Sequence, residues 1–166
     1  MANPIITINV DRGKSITAEL FVDRFPETAN LFLGTFERGF YNALSFHTCV
    51  KDEYIQFGYH DNNGYGVYAS DLDDVSEDDT NEEVIPHEEG HLAVITAKYP
   101  HLSKYQLAII FTDKPILSFG REISFKPIGR VIDGLEYARE ISRVEVDDML
   151  YPILPVVIKN VDVKKD

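Results

Sequence analysis

The chain has no tryptophan, two methionines and a single cysteine in 166 residues. A lone Cys49 forbids an internal disulfide and leaves no companion thiols for a structural zinc site, which predicts a reducing, cytoplasmic setting. Basic residues are scarce: 16 Lys and Arg stand against 28 Asp and Glu, a formal charge of −12. That balance argues against nucleic acid or an anionic membrane as partner, since both need a basic face. No apolar run approaches the ~18 residues of a membrane span. The opening Met-Ala-Asn-Pro-Ile-Ile lacks the basic and apolar regions of a secretory leader. A Gly-rich phosphate loop, a G-x-S-x-G elbow and a metal-spaced His pair are all missing, so neither metal nor cofactor is expected. His87 and His91 are four apart, but Gly90 lies between them and the segment leads into a strand.

What the chain does contain is bulk. Ten Phe, nine Tyr and a hydrophobic fraction of 44% are enough for one sizeable core. A single domain over residues 1–166 is expected, as a monomer. Ile6, Ile8 and Val10 alternate with polar residues, as do Ile16, Ala18, Leu20 and Val22. Period two marks half-buried strands, and the intervening Asp11-Arg12-Gly13-Lys14 predicts a hairpin turn. The period then changes: Ala29, Phe32, Leu33 and Phe36 follow Pro26 at helical spacing, and Gly39 is placed to close the helix. Short apolar stretches at 44–46, 54–57, 92–97, 107–112 and 128–132 predict further strands. A second helix is predicted from Leu135, Ala138 and Ile141 behind Asp133-Gly134, and a last strand over 156–163, entered through Pro152 and Pro155. Seven or eight short strands with two helices point to a mostly β antiparallel barrel or sandwich closed by helices. Residues 71–89 hold ten acids in nineteen positions, without the spacing of a calcium loop, and are expected to form a solvated loop.

Several motifs, in order, resemble the cyclophilin family. They are Pro26-Glu27-Thr28-Ala29-Asn30-Leu31-Phe32 for the family's P-x-T-x-x-N-F, Gly39-Phe40-Tyr41-Asn42 for G-Y-Y-D, and Phe46-His47 for F-H. Ile55-Gln56-Phe57-Gly58 looks like the Q-G-G strand, and Gly129-Arg130-Val131-Ile132-Asp133-Gly134-Leu135-Glu136 looks like G-R-V-I-E-G-M-E. The resemblance covers nearly the whole chain and implies an eight-stranded antiparallel barrel capped by two α-helices. It also implies peptidyl-prolyl cis-trans isomerase chemistry and a proline-containing peptide or protein as partner.

Rotation about an X-Pro bond breaks amide resonance, a barrier of roughly 18–20 kcal/mol. In the family an Arg directly after Phe-His donates to the proline nitrogen as it pyramidalises, an apolar pocket holds the ring, and polar groups align the peptide. At the Arg position this chain has Thr48, short and uncharged. Losing one preorganised donor from a transition state costs ~2.7–4 kcal/mol, or about 10²–10³ in rate. Glu53 stands at a pocket aromatic, followed by Tyr54, and Ala108 replaces a Phe floor. Thr96, within Ile95-Thr96-Ala97, falls in the peptide-aligning A-N-A stretch; Ile116 and Leu117 replace Trp-Leu, and Phe125 falls near a pocket His. Gln56 and Gln106 match the family. Thr48 and Gln56 are therefore the candidate catalytic positions. Tyr54, Glu53, Thr96, Gln106, Ala108, Ile116, Leu117 and Phe125 are the candidate peptide contacts.

His47 also matches but is expected as a hydrogen-bonded core residue, and Cys49 as a buried small hydrophobe rather than a nucleophile. The expected function is a divergent cyclophilin-like domain that binds proline-containing segments with weak or absent isomerase activity. The alternatives are a working isomerase that assists protein folding, with Arg121 as a replacement donor, a non-catalytic interaction scaffold, or a barrel whose groove is filled in.

Overall fold

The computed structural model describes residues 2–58, 82–95, 105–118 and 120–165. Among them the chain runs β1 (Ile5–Val10), β2 (Ser15–Leu20), α1 (Pro26–Glu37), β3 (Thr48–Val50), β4 (Tyr54–Phe57) and β5 (His91–Ile95). It continues through β6 (Leu107–Ile110), β7 (Leu117–Ser118), β8 (Arg121–Glu122), β9 (Phe125–Asp133), α2 (Leu135–Ser142) and β10 (Ile158–Lys164). Eight strands form one antiparallel sheet in the order β10-β1-β2-β9-β5-β6-β4-β3, and β7 and β8 form a separate two-stranded ribbon.

The opening hairpin follows from its alternation. Ile6, Ile8, Val10, Ile16, Ala18 and Leu20 all face the core, and the turn carries Gly13 at φ +80°. Helix α1 begins at Pro26, buries Ala29, Phe32, Leu33 and Phe36, and ends where the Gly39 N–H donates to Phe36 O at 3.1 Å. It packs on β9 and β10, whereas α2 packs on β2, β3 and β4. At the entry to α2, Gly134 has φ +86°, and a Cβ there would lie 2.5 Å from Ser15 O. Glycine is the residue that fits both the torsion and the approach.

The sheet curls until its ends meet. The predicted strand at 44–46 is instead the seam of this closure, with one bridge, Ser45 to Val157. Ala43 N–H donates to Ile158 O at 2.8 Å, Ile158 N–H to Leu44 O at 2.8 Å, and Phe46 N–H to Val156 O at 3.0 Å. Those backbone groups are spent on closure, so the apolar residues 44–46 line the barrel without forming a ladder. The mostly β, helix-capped antiparallel barrel is the observed fold. Strand β3 and the β7–β8 ribbon are additions that the apolar pattern did not show.

Candidate functional site

Alternation divides β3, β4, β5 and β6 into an inner and an outer face. Cys49, Ile55, Phe57, Leu92, Val94, Leu107 and Ile109 point into the main core. Tyr54, Ala93, Ala108 and Ile110 point outward into a second cluster with Ile116 and Phe125. Thr48 and Gln56 share this outer phase, because side chains two apart on a strand share a face. Register then fixes their neighbours. Thr48 pairs with Gln56, Gln56 with Ala108, Ala108 with Ala93, and Ala93 with Pro127. A single row across the sheet thus carries the Thr at the family's Arg position, the matching Gln, and two alanines.

The polar end of this row is a hydrogen-bonded network. Gln56 Nε2 donates to Gln106 Oε1. Thr48 Oγ1 and His47 Nδ1 are 2.9 Å apart. Burial pushes the His47 pKa down to about 4, opposed by a side-chain hydrogen bond with Gln106, so the imidazole is neutral at ordinary pH. The ring lies at the rim of the row rather than wholly in the core, and it meets the Tyr151 ring edge-on at 6.5 Å. The Thr48 hydroxyl is thereby held in a hydrogen bond with its neighbour.

The apolar end is closely packed. Ala108, Ile110, Ile116 and Ala93 are fully buried, and Tyr54 and Phe125 nearly so. Tyr54 and Phe125 pack edge to face at 5.9 Å, and His87 packs on the other side of Phe125 at 5.3 Å. Burial raises the Tyr54 hydroxyl to about 12, with a hydrogen bond to Ser118 acting in the opposite sense. That bond ties the β7–β8 ribbon to the sheet. Leu117, the neighbour of Ser118, is exposed and stands apart from this cluster. Glu53 sits half-buried in the turn just before β4, its carbonyl accepting from Phe111 N–H at 2.8 Å. Thr96 lies outside the described residues. Ala93, Ile110, Ile123 and Tyr151 join the site without having been marked in the sequence; Ala93 was hidden inside a continuous apolar run, where period two cannot be read.

Other chemistry is weak here. Burial raises the Cys49 thiol to about 12, leaving a thiol rather than a thiolate. His87 Nε2 donates to Lys114 O at 2.8 Å, and His91 Nδ1 accepts from Glu88 N–H at 3.1 Å, so the two rings serve separate partners. Among the described residues no group of His, Cys, Asp and Glu is arranged to hold a metal ion. No helix among them is long and apolar enough to cross a membrane.

The acidic segment departs from the expected solvated loop at its described end. Glu82 accepts the N–H groups of Glu27 and Thr28 at 2.8 and 3.2 Å and the Thr28 hydroxyl at 2.6 Å, capping α1. The Lys126 ammonium, buried behind it, lies 3.4 Å from the same carboxylate. Burial raises the Glu82 pKa, but these hydrogen bonds and Lys126 outweigh it and the net shift is downward. Glu83 pairs with Arg24, Glu88 with His91 and Glu89 with Arg139. The remaining acids, 71–81, lie outside the described residues.

The chain is thus a helix-capped antiparallel barrel whose sheet carries an outward-facing row of amides and small residues. The chain belongs to the cyclophilin-type peptidyl-prolyl cis-trans isomerase family, whose model matches residues 5–163. It is 28% identical over 159 residues to the rat peptidyl-prolyl cis-trans isomerase-like 3, covering 95% of this chain and 94% of that one. Identity to the Arabidopsis thaliana peptidyl-prolyl cis-trans isomerase CYP18-2 is 30% over 158 residues, covering 93% and 90%. A Cryptosporidium parvum cyclophilin-type isomerase superposes with a TM-score of 0.70 at 20% identity, covering 99% of each chain, which supports the fold. The same protein crystallised in the presence of the dipeptide Ala-Pro gives 0.67, covering 98% of this chain and 99% of that one.

Proposed function

We propose that this cyclophilin-type domain binds extended proline-containing segments across the row from Thr48 to Ala93 and isomerises them weakly or not at all. The observation that carries this is Thr48, opposite Gln56 in register, with its hydroxyl bonded to His47 at 2.9 Å. Twisting the X-Pro bond leaves a lone pair on the proline nitrogen. A charge-assisted donor favours that twisted state over both planar ones, and differential stabilisation of this kind lowers a barrier. Thr48 brings no charge, and its short hydroxyl is held by the hydrogen bond with His47.

The remaining groups support binding. The Gln56 and Gln106 amides offer donors and acceptors to a peptide backbone, and a relative crystallised with Ala-Pro supports proline-containing ligands for this fold. The substitution of Ala for an aromatic at 108 removes a flat floor for the ring.

A second reading is a barrel whose ancestral groove is filled. It is favoured by the burial of Ala108, Ile110 and Ile116 beneath Tyr54 and Phe125. One titration separates the two. A labelled sample is titrated with an Ala-Pro-containing peptide while prolyl exchange is followed by NMR. Binding predicts saturable shifts at Thr48, Gln56 and Ala108 with little exchange enhancement. A filled groove predicts no shifts there, and strong exchange enhancement lost in Gln56→Ala would overturn both.

A further inference from the structure

Residues 149–154 form a second apolar surface beside the row. Met149, Tyr151, Ile153 and Leu154 are all exposed, Leu154 at 72%. Clustered exposure of this kind marks interaction surfaces more often than isolated exposed residues do. The platform is also firmly held. Val146 bridges Pro152, and Ile153 N–H donates to Glu145 O at 2.9 Å. Asp147 Oδ1 accepts the N–H groups of Met149 and Tyr151 at 2.8 and 3.1 Å. Leu150, at its tip, takes φ +68°, an unfavourable torsion for a branched side chain. Its carbonyl accepts Cys49 N–H at 3.0 Å, so the strained residue is the one that moors the platform to edge strand β3. Tyr151 then meets His47, which is bonded to Thr48, making the platform continuous with the row.

We propose that this platform extends the groove and selects proline-containing segments with a bulky apolar residue about four positions from the proline and a basic residue beyond it. The inference rests on the peptide-binding reading of the row. Strands lie ~4.8 Å apart and extended chain advances ~3.3 Å per residue. Gln56 lies one strand from Thr48 and the His47 and Tyr151 ring centroids are 6.5 Å apart, so a proline seated beside Gln56 leaves about four residues to reach Tyr151. Exposed Glu145, Asp147 and Asp148 precede the platform in the chain, Asp147 within its turn, and favour a cation beside it. The ligand lies over β3 rather than beside it, because the Cys49 N–H is already taken by Leu150.

The test titrates wild-type protein with three peptides that share a proline and a flanking Lys. One has Leu four positions before the proline, one has Leu four positions after it, and one has Gly at both places. One Leu peptide is expected to bind about tenfold more tightly than the Gly peptide, the gain of burying one large side chain. The variant Met149→Ser/Ile153→Ser/Leu154→Ser, which spares the Tyr151 contact with His47, should erase most of that difference and leave the Gly peptide unchanged. Leu154→Ser alone should reduce it, and serves if the triple variant fails to fold. Equal affinity for all three peptides, or a difference that survives the substitutions, overturns the platform while shifts at Thr48 and Gln56 keep the row. Absence of shifts in the row with every peptide overturns both. Self-association abolished by the substitutions assigns the platform to a second copy of the chain and overturns the peptide proposal.

Discussion

The inner and outer faces of β3, β4, β5 and β6 are made by alternate residues of the same strands, yet they obey different rules. The inner face uses large apolar groups such as Phe57, Leu107 and Ile109, packed with the α1 aromatics. On the outer face, Thr48, Gln56, Ala108 and Ala93 make a row of small and polar groups that passes into a compact aromatic cluster. Fold membership is written on the first face, and the proposed peptide contacts lie on the second. A chain can keep the barrel and change the chemistry, because substitutions such as Thr at 48 leave the core untouched.

Core truncation should show the largest contrast. Phe57→Ala is expected to cost ~3–5 kcal/mol by urea unfolding. Gln56→Ala, one residue away on the opposite face, is expected to cost about 1 kcal/mol, the scale of one hydrogen bond. Comparable losses would erase the distinction between the faces. Next in size is the α1 cap. Glu82→Ala removes the carboxylate partner of buried Lys126 and should cost ~3 kcal/mol. Glu83→Ala, which breaks the exposed pair with Arg24, should cost under about 1 kcal/mol. An equally small loss for Glu82 would return the described end of the acidic segment to the role of a solvated loop.

The pH dependence sharpens the outer face further. His47 is held at about 4 in the fold against 6.5 for the free side chain, so the unfolded chain binds the extra proton between those values. Stability contributed by neutral His47 is complete above pH 6.5 and falls as pH drops toward 4. Glu82 has a lowered pKa, so its contribution is present above 4.5 and is lost at still lower pH. His47→Gln should flatten the stability profile between pH 6.5 and 4; an unchanged profile would place the proton elsewhere. The smallest effect is expected from cyclosporin, the macrocycle that the family's groove accepts. With Thr48, Ala108 and Ile116 in place of its usual contacts, micromolar drug should leave the melting temperature nearly unmoved. A rise of several degrees would show a more competent groove.

Much of the fold was legible because its signals were local. Alternation in β1 and β2, Pro26 ahead of a Phe-rich helical period, and Asp133-Gly134 ahead of α2 each state their structure within a few residues. Less legible were β3, three residues long, and the β7–β8 ribbon, two residues a side, which are too short to show a period. The stretch 44–46 misled because apolar residues along a seam look like those along a strand. At the site, the resemblance gave Thr48, Gln56 and Ala108. Their common row came only from register, which depends on pairings between strands distant in the chain. Tyr151 carried no local sign at all, since its place beside His47 is made by the turn around Asp147.

The most direct measurement is kcat/KM for an X-Pro peptide, taken side by side with a cyclophilin that carries Arg at the position of Thr48. The missing charged donor predicts a value at least ~10² below the reference. Thr48→Arg should raise it without reaching the reference, because Glu53 and Ala108 still leave the proline ring poorly held. A wild-type value within about tenfold of the reference, abolished by Gln56→Ala, would contradict the account.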